Sequence, residues 1–188
     1  IKSIAKISEK IFPVMAGLYL AICFYVIADN ASALPAALGN IFGGLFDPGA
    51  VAGGIIGAMI AGVRRAVFSN EAGCGSAPIT HAAVKSDSHI TQGLIAMLNP
   101  FIDTVIICTA TALVIAVTGV YTGAEGLAGI ELTARAFATA GEWTIYWLGL
   151  TVFLFAYSTL ISWYYLGEKA FTYLAGNRAG LVTGFKIF

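Results

Sequence analysis

Between Ile11 and Leu166 the chain carries four apolar stretches of membrane-crossing length, and nothing else in it constrains the fold so tightly. Crossing the hydrocarbon core takes about 20 predominantly apolar residues, and no backbone polar group can be left unpaired there, which a helix arranges within a single segment. An all-α polytopic membrane protein is therefore expected. Its spans are expected at about 11–30, 51–85, 93–121 and 143–167, with Pro13 in the first turn of the first, where a missing N–H costs nothing. Hydrophobic residues make up 59% of the 188 and charged residues 11%. Soluble domains have roughly 45–50% and 25%, and could not hide this much apolar surface. Ten Lys and Arg balance ten Asp and Glu, so there is no basic excess, and no nucleic-acid partner is expected.

Orientation follows from the flanking basic residues, because cytoplasmic loops hold the excess of Lys and Arg. Lys2, Lys6 and Lys10 precede the first span, Lys85 lies between the second and third, and Lys169, Arg178 and Lys186 follow the fourth; the other connections hold only Arg135. Both ends are expected to be cytoplasmic, in the plasma membrane (the inner membrane of a bacterial or archaeal cell). Leu34–Gly49 and Ile130–Ala140 have the makings of short surface helices. Cys23, Cys74 and Cys108 form no CxxC pair and read as buried thiols. The chain starts at Ile1 without a Met or signal peptide and ends at Phe188 in an apolar stretch, so a fragment is expected.

The second span is the informative one. Its clean apolar run stops near Val63, after which Arg64, Arg65, Ser69, Asn70 and Glu71 occupy membrane depth. The string FSNEAGCGSAP from Phe68 to Pro78 breaks a helix by nameable means. Gly73 and Gly75 admit positive φ, and Pro78 removes an N–H and clashes with the carbonyl four residues back. Ser76 can cap a new helix that starts near Pro78 and continues through Ile79, His81 and Val84. Irregular backbone at this depth persists only where it is buried in protein or lines a water-filled cavity, and broken helices form the midplane sites of many secondary transporters. The carbonyl end of the first half suits an ammonium or a sodium ion, and the N–H end of the second suits a carboxylate. A zwitterionic amino acid presents both charges. The alternative is a kinked packing helix, which needs neither Asn70 and Glu71 nor the arginine pair.

Other polar residues at depth have two readings each. Arg64, Arg65, Glu71 and Asp103 are expensive if unpaired, so they either form an ion pair holding the second and third spans together or take part in cation binding. His81 is expected as a packed or solvated imidazole, and the ridges Gly53, Gly57, Ala61 and Gly54, Ala58, Gly62 as close-packing surfaces. In the fourth span Ser158 and Thr159 offer hydroxyl oxygens, and Thr159 shares a face with Trp163 four residues on. Such hydroxyls ordinarily bond back to their own helix; the functional alternative is an ion site beside an apolar side-chain pocket.

At these residues the chain closely resembles the alanine or glycine:cation (sodium:alanine) symporter family. The likeness is carried by IAKISEK from Ile4 to Lys10, FSNEAGCGSAPITHAA from Phe68 to Ala83, the run from Gly93 to Tyr121 containing NPFIDTVIICTATALVI, and FAYSTLISWYYLGE from Phe155 to Glu168. Cys74 stands where the family pattern leads one to expect Met. The resemblance implies a LeuT-like inverted-repeat transporter, with residues 1–188 a fragment of its single transmembrane domain holding core helices five to eight. It implies sodium-coupled symport of a small neutral amino acid, alanine or glycine, by alternating access. Its partners would be the substrate, sodium, the lipid bilayer and the missing helices of the same transporter. By that likeness Phe68, Ser69, Asn70, Gly73, Gly75 and Ser76 would surround the amino acid's polar atoms, and Thr159 and Trp163 would face it. Ser158 and Thr159 would ligate one sodium ion, and Asp103 or Thr104 a second. Two other classes compete. One is a channel or structural membrane subunit. The other is an intramembrane hydrolase with Ser76 as nucleophile and His81 as base, although residues five apart on a helix share a face poorly.

Overall fold

The computed structural model describes residues 2–44, 55–69, 75–86, 88–123, 129–176 and 184–185, with the helical backbone alone at 2–9, 65–66 and 68–69. Among these residues every regular element is a helix. α1 runs Lys2–Asp29 and α2 runs Leu34–Gly44 after a tight turn at Ala31–Ala33. α3 (Ile56–Ser69) and α4 (Ser76–His81) are the two halves of the interrupted helix. α5 is His89–Thr118, α6 is Ile130–Ala138 and α7 is Trp143–Leu174.

Among the described residues three helices are long and apolar enough to cross a membrane: Lys10–Asp29, His89–Thr118 and Trp143–Leu174. α3 has 14 residues, about 21 Å of helix against a core of about 30 Å, so that half alone falls short. Pro13 is not in a first turn. The lysine-bearing residues 2–10 are already helical, which leaves Pro13 inside α1 and facing the carbonyl of Glu9, an interruption that membrane helices tolerate. The third helix starts at His89 and stops at Thr118, before Gly119 takes a φ of +65°. The fourth continues to Leu174.

α5 changes pitch part-way. Residues Phe101–Cys108 are π-helical, directly after Pro100. Pro100 donates no N–H and crowds the carbonyl of Ala96, and the wider turn absorbs the misfit. Asp103 and Thr104 lie on this stretch.

The core forms where α1, α5, α6 and α7 meet, around Tyr19, Ile22, Cys23 and Val26 of α1, Ile107 and Val114 of α5, Ala136 and Phe137 of α6, and Leu148 of α7. α6 is more than a surface helix: Ala136 and Phe137 are fully buried. Its exit is fixed by Gly141, which has a φ of +134° and where a Cβ would fall 2.9 Å from Trp143 Nε1, so no side chain fits. Thr144 then shares its hydroxyl proton between the carbonyls of Phe137 at 2.6 Å and Gly141 at 2.7 Å. Deeper in, the Tyr19 hydroxyl lies 2.7 Å from Thr111 Oγ1. Thr111 spends its own proton on the Ile107 carbonyl at 2.9 Å, so Tyr19 is the donor. Phe137 and Phe155 flank the Tyr19 ring at 6.1 and 6.0 Å.

α3 contrasts with this. Its described side chains are exposed, and a Cβ added at Gly57 or Gly62 would meet nothing within 4 Å. These ridge positions are uncovered among the described residues, and Gly53 and Gly54 lie outside them. Of the thiols, Cys23 is buried as expected, but Cys108 is exposed, because the neighbouring Ile107 takes the core-facing position of that turn. Cys74 lies outside the described residues.

Candidate functional site

The interruption begins after Ser69 and the chain is helical again from Ser76. Gly75 precedes the new helix with a φ of +74°, the left-handed geometry that only glycine adopts at no steric cost. Ser76 is not the cap. Gly75 holds that position, and Ser76 is the first helical residue and is buried. α4 also ends at His81, short of Val84, where the chain passes into turns at Ala82 and Ala83. Asn70, Glu71 and Gly73 lie outside the described residues, and Phe68 and Ser69 are given by their helical backbone.

α4 packs on α7, and a cleft of about 240 Å³ lies between them, lined by Ser76 and Ile79 on one side and Trp163, Leu166, Gly167 and Ala170 on the other. The α7 residues recur at i, i+3, i+4 and i+7, one face of a helix. Drug-sized ligands occupy roughly 300–1,000 Å³, so this cleft matches a small solute. Its walls are mainly carbon, and the Ser76 hydroxyl and Trp163 indole supply its side-chain polarity. Two residues singled out from sequence, Ser76 and Trp163, are thus brought together from opposite sides.

Thr159, Ser158 and Asp103 are not among the residues lining the cleft. Thr159 lies one turn before Trp163, exposed, with its hydroxyl donated to the Phe155 carbonyl at 2.8 Å. A hydroxyl that donates its proton keeps its acceptor capacity, so the ordinary explanation of Thr159 does not exclude the functional one. Ser158 is half-buried and its carbonyl accepts from Ser162 at 3.0 Å. Asp103 is half-buried on the π stretch of α5, and Arg64 on α3 is exposed. His81 sits 2.8 Å from the Gln92 amide nitrogen, on a different side of α4 from Ser76. That separation removes the pairing a serine hydrolase would require.

The profile of the sodium:alanine symporter family matches residues 1–188, from one end of the chain to the other. The chain belongs to this family. It is 41% identical over 95% of its length to the sodium/alanine symporter AgcS of Methanococcus maripaludis, and 40% identical over 93% to the probable sodium/glutamine symporter GlnT of Bacillus subtilis. An uncharacterized transporter of Haemophilus influenzae is 42% identical over 95% of the chain. In each case the chain spans about two fifths of the relative's length: 40%, 37% and 40% in that order. No solved structure matches.

For this member of the symporter family, sequence reasoning missed part of the cleft. Ile79, Leu166, Gly167 and Ala170 are ordinary apolar or small residues, and only their register with Ser76 and Trp163 identifies them. The signal is present in the Trp163, Leu166, Gly167, Ala170 spacing, once α4 is placed against that face.

Proposed function

We propose that the chain is part of a sodium-coupled symporter for a small neutral amino acid, alanine or glycine, working by alternating access. The observation that carries this is the cleft where the resumed half of the interrupted helix meets Trp163 on α7, in a chain matched end to end by the sodium:alanine symporter family. A cleft of about 240 Å³ with mainly carbon walls has room for a small neutral amino acid. Phe68, Ser69, Asn70, Gly73, Gly75 and Ser76 surround the amino acid's polar atoms in this reading, with Thr159 and Trp163 facing it from α7. Ser158 and Thr159 supply hard hydroxyl oxygens to one sodium, and Asp103 on the π stretch, where functional sites are frequent, is the candidate for a second.

The architecture is a LeuT-like inverted repeat, with α1, the α3–α4 pair, α5 and α7 as core helices five to eight and residues 1–188 as one piece of the domain. Both ends face the cytoplasm in this reading, which the lysine distribution supports. Other helices of the same transporter complete the site. Ion and substrate stabilise one occluded state and so bind cooperatively.

The test is uptake of labelled alanine into proteoliposomes by the intact reading frame that encodes the chain. Accumulation driven by inward sodium and lost when potassium replaces it is the expected result. Equal uptake under both ions would overturn sodium coupling, and unsaturable flux would indicate a channel.

A further inference from the structure

Gly167 belongs to two faces of α7 at once. At about 100° per residue, the cleft face runs from Leu166 through Ala170 and Trp163 to Gly167, and a second face continues from Gly167 through Phe171 to Tyr164, about 60° further round. The first looks toward α4 across the cleft. The second holds Phe185, which reaches it from beyond the end of the helix. The Phe185 ring stacks on Phe171 at 5.0 Å with 15° between the planes, and on Tyr164 at 6.1 Å with 25°, both within the range of offset stacking. Tyr164 and Phe171 are seven residues apart, about 10.5 Å along the axis, so a ring that close to both sits between them, over the intervening turn. Gly167 is on that turn. A Cβ built there would fall 3.3 Å from Phe185 Cζ and meets no other described atom within 4 Å.

What Gly167 gives the cleft wall is therefore bare backbone, and the ring of Phe185 occupies the space its side chain would have entered. The ring is held there by its two stacks, with its tip toward the helix. A methyl at Gly167 would need that tip to retreat by a few tenths of an ångström, and retreat weakens both stacks. Removing the ring has the opposite effect. Closely packed neighbours relax only part-way into a space that a deleted group leaves, and here the space would adjoin the Gly167 edge of the cleft with no side chain to divide them.

We propose that Phe185 is a positioning residue that fixes the size limit of the cleft: wedged between Tyr164 and Phe171, it closes the Gly167 edge and keeps out neutral amino acids with side chains much longer than that of alanine. It acts through Gly167 and touches no substrate itself. The assignment rests on the symporter reading of that cleft.

The test uses the intact reading frame in proteoliposomes, with glutamine competing against labelled alanine. Phe185→Ala should lower the glutamine concentration that halves alanine uptake by roughly tenfold, the scale on which an apolar pocket discriminates by size. The alanine KM should move by less than about threefold, because no direct contact is lost. Adding Gly167→Ala to Phe185→Ala puts a methyl into the vacated space and should bring the glutamine value back toward wild type by about threefold or more, a non-additivity expected only of residues in contact. Phe185→Leu, which keeps apolar bulk without the stack, should shift the glutamine value in the same direction by less, and serves if Phe185→Ala does not fold. A contact that merely steadied the helix would lower maximal uptake and leave the glutamine value where it was; that result would overturn the proposal. So would a double variant as permissive as Phe185→Ala. Cleft width is read without transport by Ala170→Cys, labelled with N-ethylmaleimide or with the bulkier fluorescein maleimide and followed by peptide mass. The bulky-to-small ratio of labelling rates should rise in Phe185→Ala or Phe185→Leu and fall back when Gly167→Ala is added; an unchanged ratio would also overturn the proposal. If the unmutated protein shows no sodium-dependent uptake, the symporter reading falls by itself, and the labelling ratio still decides whether Phe185 closes the cleft.

Discussion

The two halves of α7 keep different company. From Trp143 to Phe155 the helix is locked in: Thr144, Leu148 and Thr151 are buried, Trp143 packs on Tyr25 at 5.1 Å, and Phe155 meets the Tyr19 ring edge-on. Beyond Phe155, Thr159, Leu160, Ser162 and Trp163 are exposed, the contact with α4 leaves a cleft, and burial resumes only at Leu166 and Glu168, where Phe185 stacks on Tyr164 and Phe171. Helices in lipid gain little from burying apolar surface, because the lipid tails are as apolar as leucine. Tight association there comes from shape and hydrogen bonds, which the first half of α7 has through Thr144, whose hydroxyl donates to the Phe137 carbonyl of α6, and through the edge-on contact of Phe155 with Tyr19. The second half meets the six-residue α4 across a cleft. In the proposed symporter the first half would serve as frame and the second as the side that changes with substrate.

The sharpest way to break this comparison is to hollow out the frame. Phe137 is fully buried, and truncating a buried aromatic typically costs about 3–5 kcal/mol. Phe137→Ala should lower the thermal midpoint of the purified protein by many degrees while the alanine KM of the surviving folded fraction stays close to wild type. A small loss of stability would mean that α6 is an ornament and the frame is not where the burial pattern puts it.

Substitutions at the cleft should do the reverse. Trp163→Ala removes the largest wall of the cleft, and losing even one methylene's worth of apolar contact weakens binding by about 1–3 kcal/mol, so the alanine KM should rise by roughly tenfold or more. The enlarged space should let glutamine compete better than it does in the wild type. An unchanged selectivity between alanine and glutamine would move the substrate away from Trp163. Thr159→Val keeps the shape and deletes the oxygen; the sodium concentration for half-maximal uptake should rise about tenfold, equivalent to about 1.4 kcal/mol, with no change in thermal midpoint in the absence of sodium. A stability loss without a sodium effect would leave Thr159 as a helix back-bonder alone.

The features legible in the sequence are those that depend on one segment at a time. Twenty apolar residues in a row identify a membrane helix wherever they occur, and Gly75 and Pro78 break a helix by their own chemistry. Ser76 and Trp163 stand out because polar and bulky aromatic groups at depth are conspicuous. Boundaries are harder to read: the lysine-rich turns before Pro13 have no apolar run to announce them, yet they are helical, and Leu174 extends α7 beyond the apolar stretch. Relations between segments are not legible at all. Phe137 looks like any aromatic on a nine-residue helix until the bundle closes over it, and His81 and Gln92 sit on separate elements with nothing in their spacing to pair them. The π stretch follows Pro100, but a proline in a membrane helix can also be resolved by a kink.

The smallest expected effect bears on the frame again and separates packing from polarity within it. Tyr19→Phe keeps the ring that Phe137 and Phe155 enclose and deletes only the hydroxyl that donates to Thr111. Hydrogen bonds between membrane helices average about 0.6 kcal/mol and reach about 1.7. Thr111 loses little when Tyr19 leaves, because its own proton still goes to the Ile107 carbonyl. Tyr19→Phe should therefore lower the thermal midpoint by much less than Phe137→Ala and leave sodium-dependent uptake unchanged. If instead uptake collapses while the protein stays folded, α1 and α5 do more than hold each other in place at Tyr19, and the boundary between frame and moving part runs through the hydroxyl pair rather than past Phe155.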